Sequence, residues 1–361
     1  MIDVIKLQLD KTKRVIVISD IHANLKLFSR LLEKVDYTKD DYLFINGDLC
    51  EKGANSLEVV QFVRNLCEGS SHVYVTKGNC DVVHRYVFHG SEGIIAYMNR
   101  QKHSILNEML TKHRKTIDDF INLEELSCYY RQNFQEEIDW LESLPIAYET
   151  DEFIVIHAGL DNKESWRETS EETALYTQEF YNKVHQVKKT VIVGHWPVVN
   201  YRANQVSSHN PIIDLDKKII ALDGGNQIKK DGQLNALIIQ DGMYTHTYVD
   251  ELTNEIIVQK EYNDSMNRVG TVTYPNYDLQ IIRQEKYFTI CENTNLGIEQ
   301  WIKNEYIKLE NEATLSKADV STTFLSVKQG EKVWIVDNEC DGYMLMKKEN
   351  GEVGWLPRDC F

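Results

Sequence analysis

The segment Val15–His22, VIVISDIH, joins four β-branched apolar residues to an acidic residue and a histidine. Apolar runs this short are typical of buried strands. Six short polar motifs occur along the chain, and five of them directly follow such a run. The motifs are Ser19–His22, Asn46–Asp48, Gly78–Asp81, His157–Gly159, Gly194–His195 and Asp223–Gly225. This pattern predicts buried strands whose ends place polar side chains along one edge of a sheet, where open α/β folds bind ligands.

Strand-like and helix-like segments alternate from residue 14 to about residue 250, which predicts an α/β fold. Asn24 is a candidate N-cap for a helix whose apolar residues recur with a 3.6-residue period. Residues 85–142 contain no strand-like run and are predicted to form a helical insert that covers part of the site. We therefore expect a catalytic domain over residues 1–250.

Composition narrows the function classes. The formal net charge is −16, which argues against a nucleic-acid-binding protein, because non-specific binding to nucleic acid needs a basic surface. No stretch approaches the roughly 20 apolar residues of a membrane span, so we expect no membrane association. The seven cysteines are scattered and include no Cys-x-x-Cys pair, and the N-terminus does not resemble a signal peptide. We expect a cytoplasmic protein.

The C-terminal part repeats itself weakly. Gly297–Ile307 matches Gly351–Phe361, with Trp301 and Trp355 lying 54 residues apart. Two copies of a small β unit or two unrelated β-meanders would explain this match. The second copy resembles an SH3-like barrel in its Val327–Glu331 turn and in GWLP at Gly354–Pro357. We therefore expect small all-β SH3-like barrels at residues 260–309 and 310–361, which could bind a protein partner.

The polar motifs carry oxygen and nitrogen donors that suit divalent metal ions. Carboxylate and imidazole bind Mn²⁺, Fe²⁺ and Zn²⁺. A two-metal site needs one bridging ligand, and the carboxylate of Asp48 is the natural choice. Asp20 and His22 follow the end of the first apolar run, and a turn there must bring both inward. A water held between two such ions would act as hydroxide near neutral pH.

In their order the motifs resemble those of the calcineurin-like metallophosphoesterases, and within them the phosphoprotein phosphatase and dinucleoside tetraphosphatase branch. The resemblance covers residues 14–240 and implies a metallophosphoesterase β-sandwich flanked by helices. It implies two divalent metal ions, manganese first, with iron or zinc as alternatives. It also implies catalysis by a metal-bridging hydroxide that attacks phosphorus. The implied ligands are Asp20 and His22 on the first metal, Asp48 between the metals, and Asn79, His157 and His195 on the second.

The departures from that pattern bear on the substrate. Glu51 and Lys52 stand where the family has aspartate and arginine. A lysine therefore replaces the arginine whose guanidinium would bind phosphate through two N–H groups. Cys80 stands where the phosphatase branch has the histidine that donates a proton to the leaving group. Gln178 stands in place of a phosphate-binding arginine, and Arg167 is expected to compensate for it. The expected catalytic set is Asp48, Asn79, Lys52, Glu51 and Cys80, with phosphate bound by Lys52, Asn79 and Arg167.

The leading interpretation is a metal-dependent phosphoesterase that acts on phosphomonoesters, such as phosphoserine and phosphothreonine in proteins, or on small phosphoesters. The alternative is a phosphodiesterase or dinucleoside-polyphosphate hydrolase, because Cys80 replaces the proton donor. A third interpretation, from another class, is a weakly catalytic scaffold that binds a partner through its SH3-like modules. We also expect a chain ending near residue 250 to keep its metals and its turnover of small aryl phosphates.

Overall fold

In the computed structural model, which describes all residues from 1 to 361, each of the five apolar runs lies in a β-strand. The first eleven strands are β1 (Val4–Lys6), β2 (Val15–Ile18), β3 (Tyr42–Asn46), β4 (Val73–Thr76), β5 (Ala147–Glu149), β6 (Phe153–Ile156), β7 (Thr190–Val193), β8 (Ile212–Asp214), β9 (Ile219–Ala221), β10 (Gln233–Gln240) and β11 (Met243–Asp250). The helices are α1 (Leu25–Lys34), α2 (Ser56–Gly69), α3 (His84–Phe88), α4 (Ile94–Arg100), α5 (Ile105–Lys112), α6 (Leu123–Asn133), α7 (Gln135–Ser143) and α8 (Glu171–Tyr176).

These strands form two sheets that pack face to face. One sheet has the order β1-β5-β6-β7-β9-β8 and the other has the order β11-β10-β2-β3-β4. Val17 and Phe44 from the second sheet share a buried core with Val155 and Ile192 from the first. Because side chains alternate along a strand, Ile16 lies on the opposite face of its sheet from Val17. Ile16 and the other side chains on that face pack against the helices. The predicted α/β core, a β-sandwich flanked by helices, is therefore confirmed.

The sandwich gathers the polar motifs at one end. β2, β3 and β4 run parallel to one another, as do β6, β7 and β9, and a motif follows the carboxyl end of each of these six strands. Three motifs thus come from each sheet. The prediction of a single sheet edge was too simple, because the motifs that follow β6, β7 and β9 come from the facing sheet.

Local sequence signals explain the helices. The Asn24 side chain accepts a hydrogen bond from the backbone N–H of Leu27, as expected for the N-cap of α1. Five helices, α3 to α7, occupy residues 84–143, the region in which the sequence predicts a helical insert. Every helix is too short or too polar to cross a membrane.

The chain divides into two compact units, and the division does not follow the order of the sequence. The first unit contains Met1–Trp196, Pro211–Ile228 and Gly232–Val249. The second contains Pro197–Asn210, Lys229–Asp231 and Asp250–Phe361. Two short segments that lie within the first 250 residues therefore belong to the C-terminal unit.

The strands of the C-terminal unit are β12 (Glu255–Ile257), β13 (Thr271–Val272), β14 (Asp278–Gln284), β15 (Phe288–Asn293), β16 (Ile298–Lys303), β17 (Ile307–Glu310), β18 (Ala313–Ser316), β19 (Val320–Ser321), β20 (Lys332–Asp337), β21 (Tyr343–Lys348) and β22 (Val353–Pro357).

The 54-residue repeat has a structural counterpart. β14-β15-β16 and β20-β21-β22 are both antiparallel three-stranded meanders. The first strand of each carries a register shift, between Ile281 and Arg283 in one copy and between Ile335 and Asp337 in the other. Each meander ends in a 3-10 turn, and these turns also lie 54 residues apart. The two copies thus share one local fold.

The two copies pack on one common core. Phe288 and Ile302 of the first copy share it with Leu345 and Trp355 of the second. The sheets have the open orders β16-β15-β14-β18-β17 and β12-β20-β21-β22, so SH3-like barrels over 260–309 and 310–361 are not confirmed. Trp355 is fully buried, whereas Trp301 is only partly buried, with the Arg268 guanidinium over its ring.

Candidate metal centre

The backbone at the strand ends is left-handed at four of the six predicted ligands. The φ angles are +58° at Asp20, +46° at His22, +50° at Asp48 and +64° at His195. Such angles are uncommon for residues other than glycine and cluster at functional sites. They show that the chain turns after β2, β3 and β7 instead of continuing as extended strand. Close packing surrounds these turns: a Cβ on Gly194 would lie 2.2 Å from Asp20 Oδ2.

One half of the site is built around Asn79. Its Oδ1 lies 3.0 Å from His157 Nε2 and 2.8 Å from His195 Nδ1. His157 Nε2 also lies 3.4 Å from Asp48 Oδ1. The structure therefore brings together the four residues predicted to hold the second metal.

The other half is built around His22. Its Nε2 lies 3.9 Å from Asp20 Oδ1 and 3.8 Å from Asp48 Oδ2. The two oxygens of Asp48 thus face different halves of the site, as a bridging carboxylate requires. The thiol of Cys80 joins the same half, because one ligand atom each from His22, Asp48 and Cys80 fall within 4.8 Å of one another.

Backbone carbonyls orient the imidazoles. His157 Nδ1 lies 3.0 Å from the Asn46 carbonyl, and His22 Nδ1 lies 3.3 Å from the Cys50 carbonyl. A carbonyl only accepts, so Nδ1 carries the proton in both rings and Nε2 is left as the donor toward a metal. The His195 ring has a hydrogen bond to the backbone of Tyr176, and its Nδ1 faces Asn79 at the centre.

Burial sets the charge of these groups. Burial lowers the pKa of His22 and lowers the pKa of His195 to about 4, so both imidazoles are neutral, as metal ligation requires. Burial raises the pKa of Asp20, and the nearby carboxylates of Asp223 and Asp48 raise it further. Burial also acts on Asp48, but the surrounding histidines outweigh it and lower the pKa of that carboxyl below its ordinary value.

Asp81 is a supporting residue to which the sequence analysis gave no role. Its carboxylate accepts hydrogen bonds from the backbone N–H groups of Leu49, at 2.8 Å, and Gly78, at 2.9 Å. It thus ties the turn after β3 to the turn after β4. Burial raises the pKa of Asp81 to about 7. The signal lay in its residue type, because an aspartate in a turn commonly accepts hydrogen bonds from nearby backbone N–H groups.

Glu51 does not belong to the centre, so its predicted catalytic role is corrected. Its buried carboxylate accepts hydrogen bonds from the Tyr97 phenol, the Ser104 hydroxyl and the backbone N–H of Ile105. It therefore caps α5 and holds the insert. Burial raises the pKa of Glu51. Lys52, the next residue, is exposed and lies beside Asn79 and Cys80 at the lip of the site.

Replacing Glu51 with alanine should destabilise the protein by about 3 kcal/mol. The reason is that the hydroxyl of Ser104 and the N–H of Ile105 would stay buried without an acceptor, at a cost of about 1–3 kcal/mol for each group. Urea unfolding followed by circular dichroism measures the change, with the exposed Glu58→Ala as a control. Equal midpoints for the two variants would contradict the capping role.

Arg167 also lies away from the centre. Its guanidinium pairs with the carboxylate of Glu149 on β5, so it is engaged there and not among the metal-ligand candidates. Gln178 is exposed near the end of α8, and no contact joins it to the cluster. Of the three phosphate-binding residues predicted, the structure brings only Asn79 and Lys52 to the site.

The donor set fits divalent cations. His22 Nε2 is buried and has no hydrogen-bond partner, although it faces two carboxylates across gaps of nearly 4 Å. Neutral imidazole nitrogens, two carboxylates and an amide oxygen are ligands that Mn²⁺, Fe²⁺ and Zn²⁺ accept. The buried carboxylates of Asp20, Asp48 and Asp223 would repel one another, and a cation would relieve that repulsion.

The chain is similar in sequence to known proteins. The family model described as calcineurin-like phosphoesterase matches residues 13–219. A symmetrical bis(5'-nucleosyl)-tetraphosphatase from Vibrio parahaemolyticus is 27% identical over 145 residues, which cover 40% of this chain and 44% of that protein. An asymmetrical bis(5'-nucleosyl)-tetraphosphatase from Bacillus subtilis is 26% identical over 214 residues, which cover 50% of this chain and 78% of that protein. The chain thus spans less than half of the length of the Vibrio relative.

Among solved structures, a protein serine/threonine phosphatase from Saccharomyces cerevisiae aligns with a TM-score of 0.43 at 12% identity. The alignment covers 70% of this chain and 85% of the yeast protein.

Proposed function

Because this chain belongs to the calcineurin-like phosphoesterase family and is a metal-dependent phosphoester hydrolase, we propose that it hydrolyses the phosphoanhydride bonds of dinucleoside polyphosphates. Both tetraphosphatase relatives support this substrate class, since each is named for a bis(5'-nucleosyl) tetraphosphate.

The observation that carries the proposal is the position of Cys80. Its thiol lies close to His22 and Asp48. In the phosphatase-type motif, the position of Cys80 is occupied by a histidine that donates a proton. A buried thiol is only a weak hydrogen-bond donor, so it gives little help to a basic alkoxide leaving group. A nucleotide leaves as a phosphate anion whose second pKa is about 6, and it needs no such help near neutral pH.

The chain's own residues divide the remaining tasks. Asp20, His22, Asp48, Asn79, His157 and His195 would hold two divalent ions, which when bound acidify water and neutralise phosphate charge. Lys52 places an ammonium beside the site, where it can bind the outer phosphates of a polyphosphate chain. The carbonyls that fix His22 and His157 keep the nitrogens of both rings directed inward.

Phosphomonoesters, including phosphoserine and phosphothreonine, are the second candidate substrates. The SDIH, NGD and HAG motifs favour them by their resemblance to the phosphatase branch. The test is the ratio of kcat/KM values of the manganese-loaded chain for diadenosine tetraphosphate, an aryl diester, an aryl monoester and a phosphoserine peptide. We expect the tetraphosphate to be the best substrate, and faster hydrolysis of the peptide would favour a protein phosphatase instead.

Cys80→His should change the substrate preference. The imidazole would supply a proton donor, so turnover of the phosphoserine peptide should rise by about 10-fold or more. Turnover of diadenosine tetraphosphate should change less, because its leaving group needs no proton. The exposed Cys128→Ser is the control for handling and folding. An unchanged ratio of peptide to tetraphosphate hydrolysis would show that this position does not set the preference.

A further inference from the structure

A cavity of about 360 Å³ opens beside the candidate metal centre. Asn79 and Cys80 line it on the side of the centre, and Lys52 lines it next to them. Its volume falls within the range of about 300–1,000 Å³ that is usual for small-ligand pockets. The cavity therefore continues the site toward the helical insert and is large enough for part of a substrate.

Three tyrosines line this cavity. Tyr86 comes from α3 and Tyr176 from the end of α8, and their phenol oxygens are 3.4 Å apart. Both rings are partly exposed, Tyr86 by 44% and Tyr176 by 37%. Tyr97 from α4 gives the third ring, and its phenol is held by Glu51. Two of the tyrosines that line the cavity are thus partly exposed.

The cavity is joined directly to the centre through Tyr176. The carbonyl of this residue holds the ring of His195, while its side chain lines the cavity. A ligand stacked on the Tyr176 ring would therefore lie close to His195, a predicted metal ligand.

We propose that the cavity lined by Tyr86, Tyr97 and Tyr176 binds one nucleobase of a nucleotide substrate by stacking, while the attached phosphates reach the centre past Lys52. The inference rests on the proposed function, which it makes more specific by assigning a base-binding subsite. Stacking on an aromatic side chain suits every base, because each base has a π-face.

The charged residues that line the cavity, Lys52, Glu51 and Glu92, include groups that suit both parts of a nucleotide. Lys52 is its one basic lining residue, and it stands beside Asn79, where a phosphate chain would enter. Glu92 lines it as an acceptor that suits an amino group of a base or a ribose hydroxyl. A nucleotide bound in this way would bring its phosphates to Lys52 and the donor groups of its nucleoside to Glu92.

The experiment compares two substrates with the same anhydride chemistry, diadenosine tetraphosphate and inorganic tetrapolyphosphate. Tyr86→Ala should lower kcat/KM for diadenosine tetraphosphate by about 10-fold, the usual scale of one stacking contact. It should leave tetrapolyphosphate hydrolysis within about twofold of wild type, because that substrate has no base. Tyr86→Phe, which keeps the ring and removes the hydroxyl, should retain most of the activity on the nucleotide.

Calorimetric titration with ADP separates this inference from the proposed function. Weaker ADP binding by Tyr86→Ala, together with a wild-type chain that does not cleave diadenosine tetraphosphate, would support the subsite and overturn the proposed function. Equal ADP affinities in wild type and Tyr86→Ala, or an equal loss of both hydrolytic activities, would overturn the subsite. A phosphotyrosine peptide serves as a third substrate, and a Tyr86→Ala loss confined to that peptide would overturn the subsite in favour of a phosphopeptide pocket.

Discussion

Replacing Asp48 with asparagine should remove at least one bound divalent ion per chain and lower kcat by at least about 100-fold. The two oxygens of this carboxylate face different halves of the site, one 3.4 Å from His157 Nε2 and the other 3.8 Å from His22 Nε2. Asparagine keeps only one oxygen and carries no charge, so it is a much poorer bridge between two cations. Second-sphere changes alone commonly cost 10- to 100-fold in metal affinity or activity, and a bridging ligand should cost more.

Metal analysis by mass spectrometry, after manganese loading and gel filtration, measures the first part of this prediction. Asp41→Asn is a matched control, because Asp41 is buried at the opposite end of the same strand, where it pairs with Arg14. The control should lose stability but keep its metals. Equal metal content in Asp48→Asn and Asp41→Asn would refute the bridging role of Asp48.

A chain shortened after Val249 should lose most of its activity, by about 100-fold or more. This reverses the expectation from sequence that residues 1–250 suffice. Residues 197–210 begin two positions after His195 and belong to the C-terminal unit. Within that unit, the Val353 N–H donates to the Ser207 carbonyl and His209 lies 3.0 Å from Asp231. Removal of the tail would leave the segment after His195 without these anchors.

A full-length variant tests the same anchoring without truncation. Lys347 is almost completely buried, pairs with Asp250 at 2.8 Å and reaches the Asp231 carbonyl. Lys347→Met removes this ion pair and should destabilise the protein by about 1.5–3 kcal/mol, the usual contribution of a hydrogen bond to a charged group. Metal content, turnover of an aryl phosphate and circular dichroism are measured for both variants. A shortened chain with full metal content and wild-type turnover would show that the tail is dispensable.

The sequence predicted what depends on local pattern. The apolar runs form strands because short β-branched segments are seldom buried in another conformation. Asn24 caps α1 because its side chain needs only a backbone N–H in the first turn of the helix. Asp20, Asp48, Asn79, His157 and His195 were brought together because each follows the end of a parallel strand. This topological rule needs no knowledge of the side-chain packing.

What the sequence did not predict depends on distant partners. Glu51 is held by residues 46 to 54 positions away, and Arg167 pairs with Glu149 across the fold. No local pattern distinguishes such pairs from site residues. The two excursions into the C-terminal unit were missed for the same reason, because Pro197–Asn210 and Lys229–Asp231 carry no change of composition. The left-handed backbone at Asp20 and Asp48 is likewise imposed by packing around them.

The most direct test of the proposed function is the fate of diadenosine tetraphosphate with the purified, manganese-loaded chain. Anion-exchange separation of the products, timed against hydrolysis of an aryl phosphomonoester by the same preparation, gives both rates. We predict that the dinucleotide is converted to mononucleotides with the higher kcat/KM, and that removal of manganese with a chelator stops the conversion. An intact dinucleotide, in a preparation that consumes the aryl monoester, would contradict the account.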